Sequence, residues 1–135
     1  MSRAGDLLGT VLDRLLPPDG ELPGAGGLGL ARSIPDEVAA PVLGALPPGF
    51  AALPGDAQVA ALRAIEAAAP APFAALVKAA YTAYYQDQRV LAAIERATGY
   101  AARPPQPLGY DMEPFDPALL EVVRKRPPHY RETRP

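Results

Sequence analysis

"PAPFAALVKAAYTAYYQDQRVLAAIERATG", residues 70–99, is the stretch on which the fold turns. Pro72 sits where a first-turn proline belongs, because its fixed φ suits a helix start and its missing N–H has no helical partner there. Phe73, Leu76, Val77, Ala80, Tyr81 and Tyr84 then recur at i, i+3, i+4, i+7, i+8 and i+11. That spacing lays one apolar stripe along a helix. Asp87 can accept from the open N–H groups of a second helix, 88–98, with Val90, Leu91, Ile94 and Ala97 inward. Gly99 stops it, since glycine takes the left-handed conformation that closes a helix.

Working toward the N-terminus, residues 57–69 read as a helix with Asp56 as its cap and Val59, Leu62 and Ile65 as its face; Pro70 ends it. Residues 36–46 form a shorter helix, capped by Ser33 or by Asp36 with Glu37 and limited by Pro41. Residues 4–16 carry Leu7, Leu8, Val11, Leu12 and Leu15 as a continuous stripe, and Pro17-Pro18 end that helix. Residues 17–35 are rich in proline and glycine and read as loop. Period-two alternation is absent, so no strand is expected. The expected fold is all-α: a small bundle of about four helices over residues 1–99.

Beyond Gly99 the composition changes. "RPPQPLGYDMEPFDP", residues 103–117, contains five prolines together with Tyr110, Met112 and Phe115. Such a segment cannot be helix interior or central strand, and residues 100–116 are expected to be extended or polyproline-like. Asp116-Pro117 then starts a short helix, 117–125, with Leu119, Leu120 and Val123 on one side. Residues 100–135 thus form a proline-rich arm with a short final helix. Proline restricts the unfolded chain, which lowers the entropic cost of holding an extended shape. Large aromatic side chains are costly to leave in water. The arm is therefore built to present anchors, Tyr100, Tyr110, Met112, Phe115 and Tyr130, with Arg103, Pro104, Pro105 and Pro107 between them; they either fold back on the bundle or, as the sparse core and spaced aromatics favour, insert into another polypeptide.

The totals agree with one soluble domain: 135 residues, 49% hydrophobic and 21% charged, with 18 prolines and no cysteine or tryptophan. Disulfides, thiolate metal sites and cysteine nucleophiles are excluded. The net charge is −2, but it is uneven. Residues 121–135 hold five basic and two acidic side chains, a balance of +3, against −5 for the rest. Arg124, Lys125, Arg126 and Arg131 are thus placed to pair with acidic groups. No stretch approaches the ~20 clean apolar residues of a membrane span. The N-terminal "MSRAGDLLGTVLDRLL" has neither signal-peptide character nor a twin-arginine pair, which points to the cytoplasm, or to the periplasm through co-export with a partner.

Little in the chain can do chemistry. Gly24, Gly26 and Gly29 match G-x-G-x-x-G, but Pro23 precedes the first glycine where a buried strand is needed, and no βαβ pattern follows. His129 is the one histidine and lies between prolines and arginines, without a rigid scaffold or an orienting partner. Ser2 and Ser33 lack a nucleophile elbow. No carboxylate spacing matches a metal loop. Tyr81, Tyr84 and Tyr85 form the densest aromatic cluster and read as packing groups whose hydroxyls reach the rim. No catalytic, cofactor-binding or metal-binding residue is expected on this chain. A basic-tailed module that binds nucleic acid or another acidic ligand is the alternative. The low isoelectric point and the missing reader motif argue against nucleic acid.

"AYYQDQRVLAAIERATGYAARPPQPLGYDMEPFDPALLEVVRKRPPHYR", residues 83–131, resembles the C-terminal half of the gluconate 2-dehydrogenase subunit 3 family. The similarity is carried by Tyr84-Tyr85 with Asp87, by Val90-Leu91, by "RPPQPLGY", by the Phe115-Asp116 helix start and by Tyr130-Arg131. "LLPPDGELPGA" resembles the family's loop after its first helix. The resemblance implies a non-catalytic helical subunit of a complex. Its partner would be a large FAD-dependent dehydrogenase of the glucose–methanol–choline type, and FAD would sit on that partner. Many relatives carry a twin-arginine leader, which is not found here at Met1.

Overall fold

A computed structural model describes residues 3–101 and 113–127. They belong to two compact units, Met1–Pro104 and Pro105–Pro135. The first holds five α-helices: α1 (Arg3–Leu15), α2 (Asp36–Ala45), α3 (Gly55–Ala68), α4 (Pro70–Gln86) and α5 (Gln88–Thr98). Two single 3-10 turns, Leu30–Ser33 and Phe50–Ala52, join them. No strand occurs among the described residues, and the fold is all-α, as the sequence leads one to expect.

The quoted stretch supplies the central helix. α4 packs against α2, α3, α5 and the 30–33 turn. Its buried side chains are Phe73, Leu76, Ala80 and Tyr84. Val77 is half-buried, and Tyr81 and Tyr85 are exposed. Successive steps of four residues turn about 40° round a helix. The row Phe73, Val77, Tyr81, Tyr85 therefore walks off the core, and Tyr81 is not the inward residue its spacing suggested. Pro70, rather than Pro72, opens the helix, and Ala69, in non-helical backbone, separates it from α3.

Asp87 caps α5 as expected: its Oδ1 accepts from the Arg89 N–H at 2.9 Å. Gly99 ends the helix in the left-handed region at φ 77°. Val90 and Ala93 are the buried residues. Ala97 is exposed, because the last turn of α5 runs past the core and residues 95–100 all face solvent. α3 starts two residues earlier than expected, with Pro54 at its cap position, and Asp56 lies within its first turn. α2 likewise starts behind Pro35 with no side-chain cap. Pro41 lies inside α2 without ending it. Both Pro41 and Glu37, four residues before it, are exposed, so the carbonyl left without a donor is on the wet side of the helix.

The core is larger than its helices. Leu8, Val11, Leu12 and Leu16 from α1 and its end meet Val42, Leu62, Ile65, Phe73, Leu76 and Val90. Segments that read as loop add Ala25, Leu30, Ile34 and Phe50, all buried. Gln58 is the buried polar residue among those described. Its Nε2 donates to the Phe50 carbonyl at 3.1 Å, so the amide ties α3 to the 50–52 turn and is not left unpaired.

In the second unit, residues 113–116 are irregular, and a short helical stretch follows: a 3-10 turn Pro117–Leu120 that runs into α6 (Glu121–Arg124). Asp116 caps it as expected, with Oδ1 accepting from the Ala118 N–H at 2.9 Å.

Candidate protein-binding surface

The loop that matches G-x-G-x-x-G is built for packing. The Gly26 N–H donates to Asp13 Oδ1 on α1 at 2.8 Å, and the Ala25 N–H donates to the Leu16 carbonyl at 3.0 Å. A Cβ on Gly26 would collide with the Gly9 carbonyl oxygen and the Asp13 carboxylate. Gly24 is similarly close, 2.7 Å from Asp13 Oδ1 to the place a Cβ would occupy. The glycines let this loop lie directly on α1. The Ala25, Gly26, Leu28 and Gly29 amides all donate within the chain.

The same loop is clamped from the other side. The Tyr84 hydroxyl donates to the Pro23 carbonyl at 2.8 Å. Burial, and then the neighbouring Tyr85, push the Tyr84 hydroxyl above its ordinary value. Arg89 donates through Nη2 to the Leu28 carbonyl at 2.9 Å and grips Asp87 at 2.7 Å. That grip is the main reason the Asp87 carboxyl lies below its ordinary value, and it raises Arg89 in turn. Arg96 reaches Glu21 at 3.0 Å. α4 and α5 therefore hold the 17–29 loop at three points.

An open groove of about 590 Å³ runs between α4 and the 30–35 segment, bordered by Leu30, Pro35, Lys78, Thr82 and Gln86. The Thr82 hydroxyl is turned back to the Lys78 carbonyl at 2.8 Å, and Asp87 is held by Arg89. Ser33 lines the groove together with Lys78 and Asp87. Among the described residues no group of three or more His, Asp or Glu side chains could hold a metal ion. No helix among them is long and apolar enough to cross a membrane.

Of the anchors predicted from sequence, Tyr100 and Phe115 are described, and both are exposed, at 68% and 64%. Arg124, Lys125 and Arg126 are exposed as well. Lys125 pairs with Glu121 at 3.5 Å, one helical turn away. Arg103, Pro104, Pro105, Pro107, Tyr110, Tyr130 and Arg131 lie outside the described residues, as do Met112 and His129.

Two groups of exposed apolar residues were not predicted. Of the three clustered tyrosines only Tyr84 is packed; Tyr81 and Tyr85 are exposed. Tyr85 stands edge-on to Tyr84 with ring centroids 5.2 Å apart, and Tyr81 lies 6.1 Å from Tyr85. The 40° walk of a four-residue row would have given the signal. In the second unit Leu119, Val122 and Val123 are exposed together with Phe115. The spacing of Leu119, Leu120 and Val123 predicts one side of a short helix, and Leu119 and Val123 on that side are exposed. No protein-family model matches the chain, and neither a curated protein nor a solved structure does.

Proposed function

We propose that this chain is a non-catalytic accessory subunit. It binds, and stabilises or helps mature, the large subunit of an FAD-dependent dehydrogenase of the glucose–methanol–choline type. FAD belongs to the large subunit, and this chain contributes no group to the reaction. The observation that carries the reading is the exposure of large apolar side chains, Tyr100 and Phe115 among them, in a segment that also bears Arg124, Lys125 and Arg126. Exposed aromatic side chains beside cations are the material of protein interfaces, where a few such anchors carry most of the binding energy. The resemblance of residues 83–131 to the subunit 3 family supplies the kind of partner. The internally satisfied loop, turned hydroxyl and paired carboxylate are consistent with a scaffold role.

The test is expression of the large subunit alone and together with this chain. The accessory role predicts more soluble large subunit and a higher FAD content per mole of protein on co-expression. Unchanged solubility and FAD content would count against it. The exposed basic residues also favour a second reading, an acidic ligand such as nucleic acid. Salt separates the two: phosphate binding falls steeply as salt rises, and an apolar interface persists.

A further inference from the structure

We infer that Asp19-Gly20 is a covalent modification site, where the aspartyl residue rearranges to isoaspartate and loosens the entrance of the 17–29 loop. The inference stands apart from the accessory-subunit reading, since no partner subunit takes part in it. Asp19 is the one aspartate of the chain that is followed by glycine, and the chain has no asparagine. Every other aspartate is followed by a residue with a side chain, which crowds the next nitrogen. Asp19 and Gly20 are both exposed. Asp19 and Leu22 exchange backbone hydrogen bonds of 3.0 and 2.9 Å, so Gly20 and Glu21 form the tip of a tight turn. Gly20 has φ 56° and Glu21 a negative φ, as in the hairpin turn that takes glycine at its first central position. Neither the Gly20 N–H nor the Asp19 carboxylate has a hydrogen-bond partner among the described residues. The nitrogen and the carboxyl carbon that must meet are thus neighbours, solvated and unengaged.

The Gly20 nitrogen gives up its proton and bonds to Asp19 Cγ, and a carboxyl oxygen leaves as water, which closes a cyclic imide. Water then reopens the ring. Cleavage of the new bond restores aspartate. Cleavage of the original peptide bond leaves isoaspartate, with the main chain running through Cβ and Cγ. One water leaves and one returns, so the mass is unchanged and no co-reactant is consumed. Glycine favours the step because no Cβ shields its nitrogen and its backbone swings freely. The product has a longer main chain between Asp19 and Leu22, and the turn can no longer keep both of its hydrogen bonds in register. Glu21 at the tip is drawn away from Arg96, which it meets at 3.0 Å. From Pro23 onward the loop stays attached, through the Tyr84 hydroxyl and the bond from the Ala25 N–H to the Leu16 carbonyl. The change therefore frees residues 19–22 and leaves the core in place. It also exposes a free α-carboxylate, the group that S-adenosylmethionine-dependent isoaspartyl methyltransferases esterify.

The experiment ages the full-length chain at neutral pH and body temperature, for wild type, Asp19→Glu and Asp19→Ser, beside a free peptide of residues 17–23. Isoaspartate is read by methyl transfer from labelled S-adenosylmethionine, and its position from the tryptic peptide 15–32, which should split into two species of equal mass. The folded wild type should convert within about tenfold of the free-peptide rate, and both variants should show no conversion in that peptide. Amide exchange of Leu22 should quicken in the aged wild type, and that of Leu12 on α1 should not. Conversion slower than that tenfold limit, or isoaspartate arising first at another aspartate, would overturn the site. A converted chain whose Leu22 amide exchanges as before would overturn the loosening of the loop. Both variants alter an exposed side chain, so their helical content should match wild type.

Discussion

Single residues explain how closely the Gly-rich loop lies on α1. Gly26 lies so close to α1 that a methyl group would strike the Gly9 carbonyl and the Asp13 carboxylate. Backbone cannot yield as a flexible side chain can, so Gly26→Ala should destabilise the protein by about 1–3 kcal/mol, read as a lowered midpoint in urea unfolding. Tyr84→Phe removes one hydrogen bond, to the Pro23 carbonyl, and should cost about 1 kcal/mol. The Tyr84 hydroxyl titrates above its ordinary value of 10.0 in the folded chain. Its contribution is therefore complete below pH 10 and is lost as pH rises through the higher folded value. The wild-type protein should lose part of its stability in that alkaline range, and Tyr84→Phe should lose less. A urea series from pH 8 to about pH 11 measures the difference.

Among the elements, the α4–α5 junction depends on Asp87. Its carboxylate caps α5 and takes two bonds from the Arg89 side chain, and its value is lowered below 3.8. A lowered carboxyl contributes stability that is present above the unfolded value and is lost as pH falls through the folded one. The stability of wild type should therefore fall with acid below about pH 4, and Asp87→Ala should flatten that part of the curve. At neutral pH, Asp87→Ala should cost about 1 kcal/mol through the lost cap, measured by thermal or urea unfolding. Arg89 would also lose the partner that steadies it against the Leu28 carbonyl, so exchange of the 24–29 amides should quicken. The sequence displays this junction well, because an aspartate before a helix and a glycine after it have local physical meaning. It displays the cap positions of α2 and α3, Pro35 and Pro54, poorly. There a proline in extended backbone precedes the first turn, and the acidic residues that resemble caps stand inside it.

At the scale of the whole molecule, the all-α architecture is legible because the apolar stripes of α1, α4 and α5 follow helical periods. Where the stripes run out, the reading fails. Tyr81 and Ala97 have the right spacing and the wrong surroundings, since periodicity fixes a direction on a helix and not what lies beyond it. Leu30, Ile34 and Phe50 fill the core from 3-10 turns and loop, where no period announces them. A core that draws on connecting segments makes the first unit a scaffold with its own packed interior. Leu76, fully buried on the central helix, tests this: Leu76→Ala should cost about 2–5 kcal/mol in urea unfolding of the chain without any partner. The candidate surface was legible in kind, as exposed aromatic and basic side chains after Gly99. The exposure of Leu119 and Val122 depends on what surrounds so short a helix, which the local sequence does not state.

The central claim is that this scaffold serves another chain's flavin chemistry. Its most direct test is the mass and flavin absorbance of the species that elutes when the chain and the dehydrogenase large subunit are co-expressed and resolved by size exclusion with light scattering. An accessory subunit predicts one peak whose mass is the sum of both polypeptides and whose FAD content per large subunit exceeds that of the large subunit made alone. Two separate peaks, with the large subunit carrying as much FAD by itself, would contradict it.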